Sequence, residues 1–236
     1  MQEDPRNYLY VQYERFLKKY SPKLFIFKNV AGLLSAEKGK YFKNIQIYFK
    51  NVGYVVEPFI VNANGFGVLQ NRKRVIIIGW KKELNLSIGQ LMDQNRITYM
   101  VDSIFRDLPE LRAGEGKDKY FEYADKSNGY LDFAQIRNGI HILTQHITRP
   151  HTEQDKEIYR IAVGKWKNNK ERLDYNDLPE RLKTHNNRNT FLGRFKVVAD
   201  DKSFSQTVVA HIAKDGHYYI HPDIEQNRSI SVREAA

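Results

Sequence analysis

The sequence predicts an α/β fold: half of a doubly wound sheet, then a smaller, irregular α+β region. Three observations predict it. Up to about residue 88 the periodic patterns run helix, strand, helix, strand, strand. RVIIIGW at 74–80 is a continuous β-branched run, the pattern of a strand buried on both faces. Beyond residue 89 the patterns shorten, and tyrosine, histidine and asparagine accumulate.

In NYLYVQYERFLKKY (7–20), Leu9, Tyr13, Phe16, Leu17 and Tyr20 share one helical face, opposite Glu14, Lys18 and Lys19. Ser21-Pro22 stops that helix. LFIF at 24–27 reads as a strand with Lys28 at its lip, and Asn29-Val30-Ala31-Gly32 as the turn. Tyr41, Ile45, Tyr48 and Phe49 fit a second helix, with Gly53 suited to its end. YVVEPFIVN (54–62) is a strand whose Pro58 places it at an edge or a bulge. A doubly wound sheet usually opens with a strand feeding a glycine-rich turn, and none precedes the first helix, so the chain reads as starting in mid-domain.

Further on, DQNRITYMVDSI (93–104) predicts a helix. QDKEIYRIAVGKWKN (154–168) predicts another, with Ile158, Ile161, Ala162 and Trp166 inward. FLGRFKVVADD and TVVAHIAKDGHYYIHPD show strand-like alternation, with turns at Ala199-Asp200 and Asp215-Gly216.

The net charge of the 236 residues is +10, and it is one-sided: residues 1–89 hold 15 basic and 6 acidic side chains. That asymmetry points to a polyanionic partner such as nucleic acid, although a basic soluble chain needs none. Cysteine is absent, which removes disulfides, thiolate metal sites and a cysteine nucleophile from these residues. No stretch approaches the ~20 apolar residues of a membrane span, and MQEDPRNYLY lacks a signal-peptide core, so a cytoplasmic protein is expected. His141, His146 and His151, or His217 and His221, lack ligand spacing with a supporting carboxylate, and no metal is expected.

Three stretches carry the functional reading: FKNVAGLLS (27–35), NANGFGVLQNRKRVIIIG (62–79) and HYYIHPDIEQNRSISVREAA (217–236). In this order they resemble the bacterial DNA cytosine-5 methyltransferases. That family has a strand ending in Glu-Asn-Val, a Gln-x-Arg-x-Arg element before a later strand, and a late Arg-x-x-(Thr/Ser)-x-Arg-Glu-(Ala)-Ala stretch. Here these read Lys28-Asn29-Val30, Gln70-Asn71-Arg72-Lys73-Arg74 and Arg228 through Ala236. Asp4-Pro5-Arg6-Asn7-Tyr8-Leu9 is similar to the Asp-x-Arg-x-x-Leu segment ahead of the family's helix, and His211 through Gly216 with Ile220-His221-Pro222-Asp223 to the approach to its last motif.

The resemblance implies methyl transfer from S-adenosylmethionine to C5 of cytosine in duplex DNA, in a restriction–modification setting. A nucleophile adds at C6, and charge building on the flipped base is met at N3 and O2. The catalytic roles would fall on Lys28, at the family's glutamate position, and on Arg74 at O2. Arg72 and Gln70 would serve DNA or the pocket loop, and Asn29, Arg228, Arg233 and Glu234 the architecture, with Arg233 and Glu234 pairing. Lys165 and Lys167 flank Trp166 as DNA-contacting cations do, and a solvated helix face explains them equally. Asn187 and Arg188 are candidates for base reading. A strand-end lysine snorkelling to solvent is the plain alternative for Lys28, and a charged loop for the two arginines.

The departures matter. The family's Pro-Cys nucleophile and glycine-rich cofactor turn lie upstream of the Asp-x-Arg segment, Leu69 replaces a usual proline, and Gly65-Phe66 replaces a common Asp-Tyr. The chain therefore reads as the C-terminal two-thirds of such an enzyme. Residues 1–88 would form the second half of the Rossmann-like methyltransferase sheet, 89–210 the target-recognition domain, and 211–236 a return segment toward the catalytic domain. Most of the S-adenosylmethionine site would be missing, and the isolated chain inactive. A fragment, the second subunit of a split methyltransferase, or a non-catalytic DNA-binding relic each fits. The expected partners are duplex DNA and either the missing N-terminal half or a second copy through the exposed half-sheet.

Overall fold

The computed structural model describes residues 8–89, 91, 99–190 and 192–236. The chain divides into two compact units: residues 1–67 with 72–96, and residues 68–71 with 97–236.

The first unit follows the sequence closely. Helix α1 (Leu9–Tyr20) buries Tyr10 and Leu17 and carries Lys18 and Lys19 in its last turn, where cations suit the negative helix end. Ser21 adopts a left-handed conformation (φ 45°), its amide donating to Leu17 O at 2.9 Å. The Tyr54 hydroxyl donates to Pro22 O at 2.7 Å and secures the turn into β1 (Leu24–Val30). Helix α2 (Lys40–Asn51) buries Tyr41, Ile45 and Phe49. Gly53 follows at φ 91° and leads into β2 (Tyr54–Asn62).

Strand β3 (Lys73–Lys81) runs antiparallel between β1 and β2, so the order is β1-β3-β2. Pro58 thus lies on an edge strand, as its missing N–H requires. Burial corrects one expectation for β3. Val75, Ile77 and Gly79 are buried, whereas Ile76 and Ile78 are only half-buried. The cause is uneven cover: Tyr10, Leu17, Ile45 and Phe49 of the two helices cluster with Phe25, Val75 and Ile77 on one sheet face, whereas on the other only Trp80 of β3 is buried. Edge-to-face contacts order that core, with Phe25 meeting Phe49 at 5.0 Å and Tyr54 at 5.1 Å between ring centroids.

Gly79 is required by this packing. It pairs with Phe25 across the sheet, and a Cβ there would collide with the Phe25 ring. Gly79→Ala is expected to cost about 1–3 kcal/mol through overpacking, read as a lower urea midpoint for the unit. An unchanged midpoint would mean that the ring yields freely.

The second unit is built differently. Helix α4 (Glu153–Asn169) starts at a capping box between Thr152 and Asp155. Its Ile158, Tyr159, Ala162, Val163 and Trp166 pack with Leu173, Tyr175, Leu178, Phe195 and Ile220. The sequence pattern marks Ile158, Ile161, Ala162 and Trp166 as inward, of which Ile161 is only partly buried, and it passes over Tyr159 and Val163. A second cluster gathers Leu69, Val101, Tyr130, Leu131, Val198, Tyr219 and Ile230. Between them lie two-residue strands β4 (Gly116–Lys117), β5 (Phe121–Glu122), β6 (Ile142–Leu143) and β7 (His146–Ile147), with helix α3 at Gly129–Phe133.

Two strand-like readings change. Residues 192–201 and 207–223 form no extended strand, only single bridges such as Val197 to Ile220, with the Val198 amide donating to Ile220 O at 2.9 Å. Of the helix predicted at 93–104, residues 93–98 lie outside the described residues, and Val101–Ile104 is a 3-10 turn. Residues 68–71 group with the second unit, and Tyr219, Ile220 and Ile230 of the 211–236 segment are core residues there.

No helix of the described residues is long and apolar enough to cross a membrane.

Candidate functional site

In the first unit the β1–β3 register brings the two predicted catalytic residues together. Lys28 pairs with Ile76 and Val30 with Arg74, so Lys28 and Arg74 occupy one sheet face as diagonal neighbours, about 7–8 Å apart between Cα atoms. Asn29 pairs with Val75 and points to the opposite face, where its side-chain oxygen accepts from the Val30 amide at 2.8 Å. Lys28 is exposed, Arg74 half-buried, and neither has a carboxylate within ion-pair distance among the described residues. Partial desolvation pushes the Arg74 pKa down, and the nearby Arg72 charge adds to it. The Lys28 ammonium and the Arg74 guanidinium, with no carboxylate paired to either among the described residues, form a site for an anion or an electron-rich ring edge.

The end of β2 holds this cluster in place. The Arg72 amide donates to Asn62 Oδ1 at 2.9 Å, and the Ala63 amide returns a bond to Arg72 O at 3.1 Å. Asn62 is a positioning residue that the sequence reading missed; the strand-ending Asn-Ala-Asn-Gly was its available signal. A cleft of about 780 Å³ opens beside the end of β1, lined by Lys28, Asn29, Gly32, Leu33, Gln12 and Tyr13 among others.

The remaining candidates fall in the second unit. Gln70 lies there, bridged to Ser205, so the Gln70–Arg74 motif divides between the units. Leu69 is buried in the core, and its carbonyl accepts from the Ser205 amide at 3.0 Å. The charges of Lys165 and Lys167 are met locally, at 2.6 Å by Asp177 and 2.6 Å by Asp200. Arg188 likewise meets Glu180, and Asn187 uses its side-chain oxygen to hold the amides of Asn189 and Thr190 in an exposed loop. None of these four presents an uncompensated cation, unlike Lys28 and Arg74.

The predicted Arg233–Glu234 pair is corrected. Glu234 binds Arg228, at 2.7 and 2.8 Å, with both side chains buried. Arg233 instead donates to the Tyr123 hydroxyl at 2.8 Å. Adjacent residues on a helix do not face each other, whereas Arg228 reaches Glu234 around the cap formed by Ser231. Buried His146 lies between Ser231 Oγ (3.1 Å) and Pro109 O (2.8 Å). His217 meets the Tyr159 hydroxyl at 2.8 Å, and His151 meets Ser229 Oγ at 3.0 Å. Among the described residues no three His, Cys, Asp or Glu side chains are grouped to hold a metal ion.

An α/β sheet unit with basic side chains at one strand end, followed by a loop-rich unit, offers a surface suited to a polyanion such as nucleic acid. The chain belongs to the C-5 cytosine-specific DNA methylase family, whose model matches residues 1–236.

Its relatives are type II methyltransferases. M.Bpa9945I of Bacillus paralicheniformis is 41% identical, over 99% of this chain and 56% of its own length. M1.HphI of Haemophilus parahaemolyticus is 29% identical, over 99% of this chain and 51% of its own. The chain therefore spans about half the length of these relatives. A solved structure described as a DNA modification methyltransferase encoded within an E. coli prophage shares the fold, with a TM-score of 0.65 at 19% identity over 99% of this chain and 63% of that one.

Proposed function

We propose that these residues form the base-holding and DNA-facing portion of a DNA cytosine-5 methyltransferase of the restriction–modification type. The observation that carries this is the β1–β3 register, which gathers Lys28 and Arg74 on one face with no carboxylate paired to either among the described residues. In that reading, cytosine is flipped from the duplex toward this strand end. Arg74 donates to O2 of the ring, where negative charge builds as a nucleophile adds at C6. Lys28 approaches the N3 edge, and Arg72, held by Asn62, lies toward the backbone phosphates. Unit 2 supplies target recognition, with the exposed loop containing Asn187 and Arg188 as its base-reading candidate.

S-adenosylmethionine supplies the methyl group to this family's reaction. In this reading its main cradle lies in other polypeptide of the enzyme, since β1 runs into a short 3-10 turn containing one glycine, Gly32, rather than a glycine-rich turn opening a helix. The 236 residues contain no cysteine, so the nucleophile and cofactor turn are assigned to polypeptide outside them.

Methyl transfer from labelled S-adenosylmethionine to mixed-sequence duplex DNA tests the reading. The chain is assayed alone, then mixed with a polypeptide carrying the family's Pro-Cys element. Transfer in the mixture only is the expected result. Folded protein that binds DNA with salt sensitivity, yet is silent in both arms, would replace this reading with a DNA-binding relic.

A further inference from the structure

In the second unit the basic side chains between residues 165 and 188 are neutralised locally, with one exception. Lys165, Lys167, Lys170, Arg181, Lys183 and Arg188 each lie against a carboxylate. Arg172 has none within ion-pair distance among the described residues, and neither has Lys196. Lys196 is also fixed in place. Its amide donates to His217 O at 2.9 Å, and its carbonyl accepts from the Ile220 amide at 2.8 Å. Its ammonium lies 5.0 Å from the centre of the Tyr218 ring. Gln206 Nε2 donates to the carbonyls of Val197 (3.4 Å) and Tyr218 (2.9 Å), which holds the lysine and the ring in that relation. Burial partly desolvates the ammonium and pushes its pKa down, and the nearby Arg172 charge adds to the effect. Two neighbouring cations, one of them half-buried and held against an aromatic face, have lost hydration and gained no counterion, so an oxyanion at this point is favoured.

We propose that Lys196, braced on the Tyr218 ring, and Arg172 grip neighbouring backbone phosphates of duplex DNA. The inference rests on the methyltransferase reading, in which unit 2 faces DNA, and it gives these two residues a contact that positions the duplex and reads no base. The chemistry suits the pair. The ammonium offers a point charge and the guanidinium a planar fork, and both match phosphate oxygens. Arg172 is exposed, so the site lies at the surface. There an isolated phosphate is held weakly, whereas a polyanion gains by releasing its condensed counterions, which selects the nucleic-acid backbone as the occupant.

The test measures binding of the full 236-residue protein to mixed-sequence duplex DNA as salt is raised from about 50 to 200 mM. The logarithm of the parent's affinity should fall linearly with that of the salt concentration. Lys196→Gln and Arg172→Gln should each make the slope shallower by about 0.9 and weaken binding roughly eightfold near 0.1 M salt, equally on duplexes of different sequence. Lys196→Arg should keep the parent slope. Lys170→Gln, whose charge is already met by Asp201, should keep it too. Arg172 is exposed and makes no ion pair among the described residues, so melting of Arg172→Gln should match the parent, and that variant decides the test if Lys196→Gln unfolds. Slopes unchanged in the folded glutamine variants, slopes lowered as much by Lys170→Gln, or displacement of the duplex by inorganic phosphate at constant ionic strength would each overturn the proposal. A parent that binds no duplex would overturn it together with the methyltransferase reading. Slopes that shift as expected in a protein that supports no methyl transfer keep the phosphate contact and count against the function alone.

Discussion

Lys28→Glu should raise methyl transfer by about 10²–10³-fold in the completed enzyme, the magnitude associated with one positioned charge-stabilising group. A lysine ammonium only donates hydrogen bonds. At the Watson–Crick edge of cytosine it can reach N3, but it meets the exocyclic amine with another donor. A carboxyl group at the same point accepts from that amine and, when protonated, donates to N3. The structure makes the substitution cheap. Lys28 is exposed, its removal breaks no ion pair among the described residues, and the new carboxylate would lie diagonally across from Arg74. Single-turnover methyl transfer with parent and variant, each in complex with the completing polypeptide, reads the effect. A rate that stays level or falls would remove Lys28 from the base-contact position.

The second large effect concerns stability. Arg228 is fully buried, and its Nε and both terminal nitrogens are occupied by Leu111 O, Ser229 O, Gln226 and the two oxygens of Glu234. Glu234→Ala leaves that guanidinium without a countercharge, at an expected cost of about 3–5 kcal/mol. For a protein of this size that is a drop in melting temperature of roughly 10 °C. Arg233→Ala loses one bond to the Tyr123 hydroxyl and should cost about 1 kcal/mol. Equal losses in the two variants would refute the pairing described here.

The same cluster sets an acid limit. Burial pushes the His221 pKa from its ordinary 6.5 down to about 4, with Glu234 pulling the other way. Burial opposes ionisation of Glu234 as well, but the bonds and charge of Arg228 outweigh it and its pKa falls below the ordinary 4.5. Both folded values lie below the unfolded ones, so the unfolded chain takes up protons first. Stability is full above about pH 6.5, declines toward pH 4 through His221, and declines further as Glu234 is protonated. Melting temperature measured against pH should therefore fall on the acid side.

What the sequence made legible is explained by where contacts lie. The elements α1, β1, α2, β2 and β3 were readable because their core is local: Leu17, Phe25, Ile45 and Phe49 repeat at helical or strand spacing and meet one another. Lys28 and Arg74 were readable as candidates from the motif, but their meeting on one face depends on a register only the sheet supplies. Outside α4, unit 2 resisted because its strands are two residues long and the rest of its core is assembled from short turns and loops, leaving no period to detect. The Arg228–Glu234 pair is close in sequence yet hidden, because a cap and a reversal bring the partners together.

The threading of the chain restricts how its second unit could be exchanged. Leu69 sits in the second core, yet it is flanked on both sides by sequence of the first unit. A chimera that swaps only residues 97–236 would keep the parental Val68–Asn71 and ask it to seat in a foreign core and pair with a foreign residue at position 205. Recombination between relatives would therefore have to carry two separated blocks at once, so the unit is heritable intact only when its four-residue outlier travels with it.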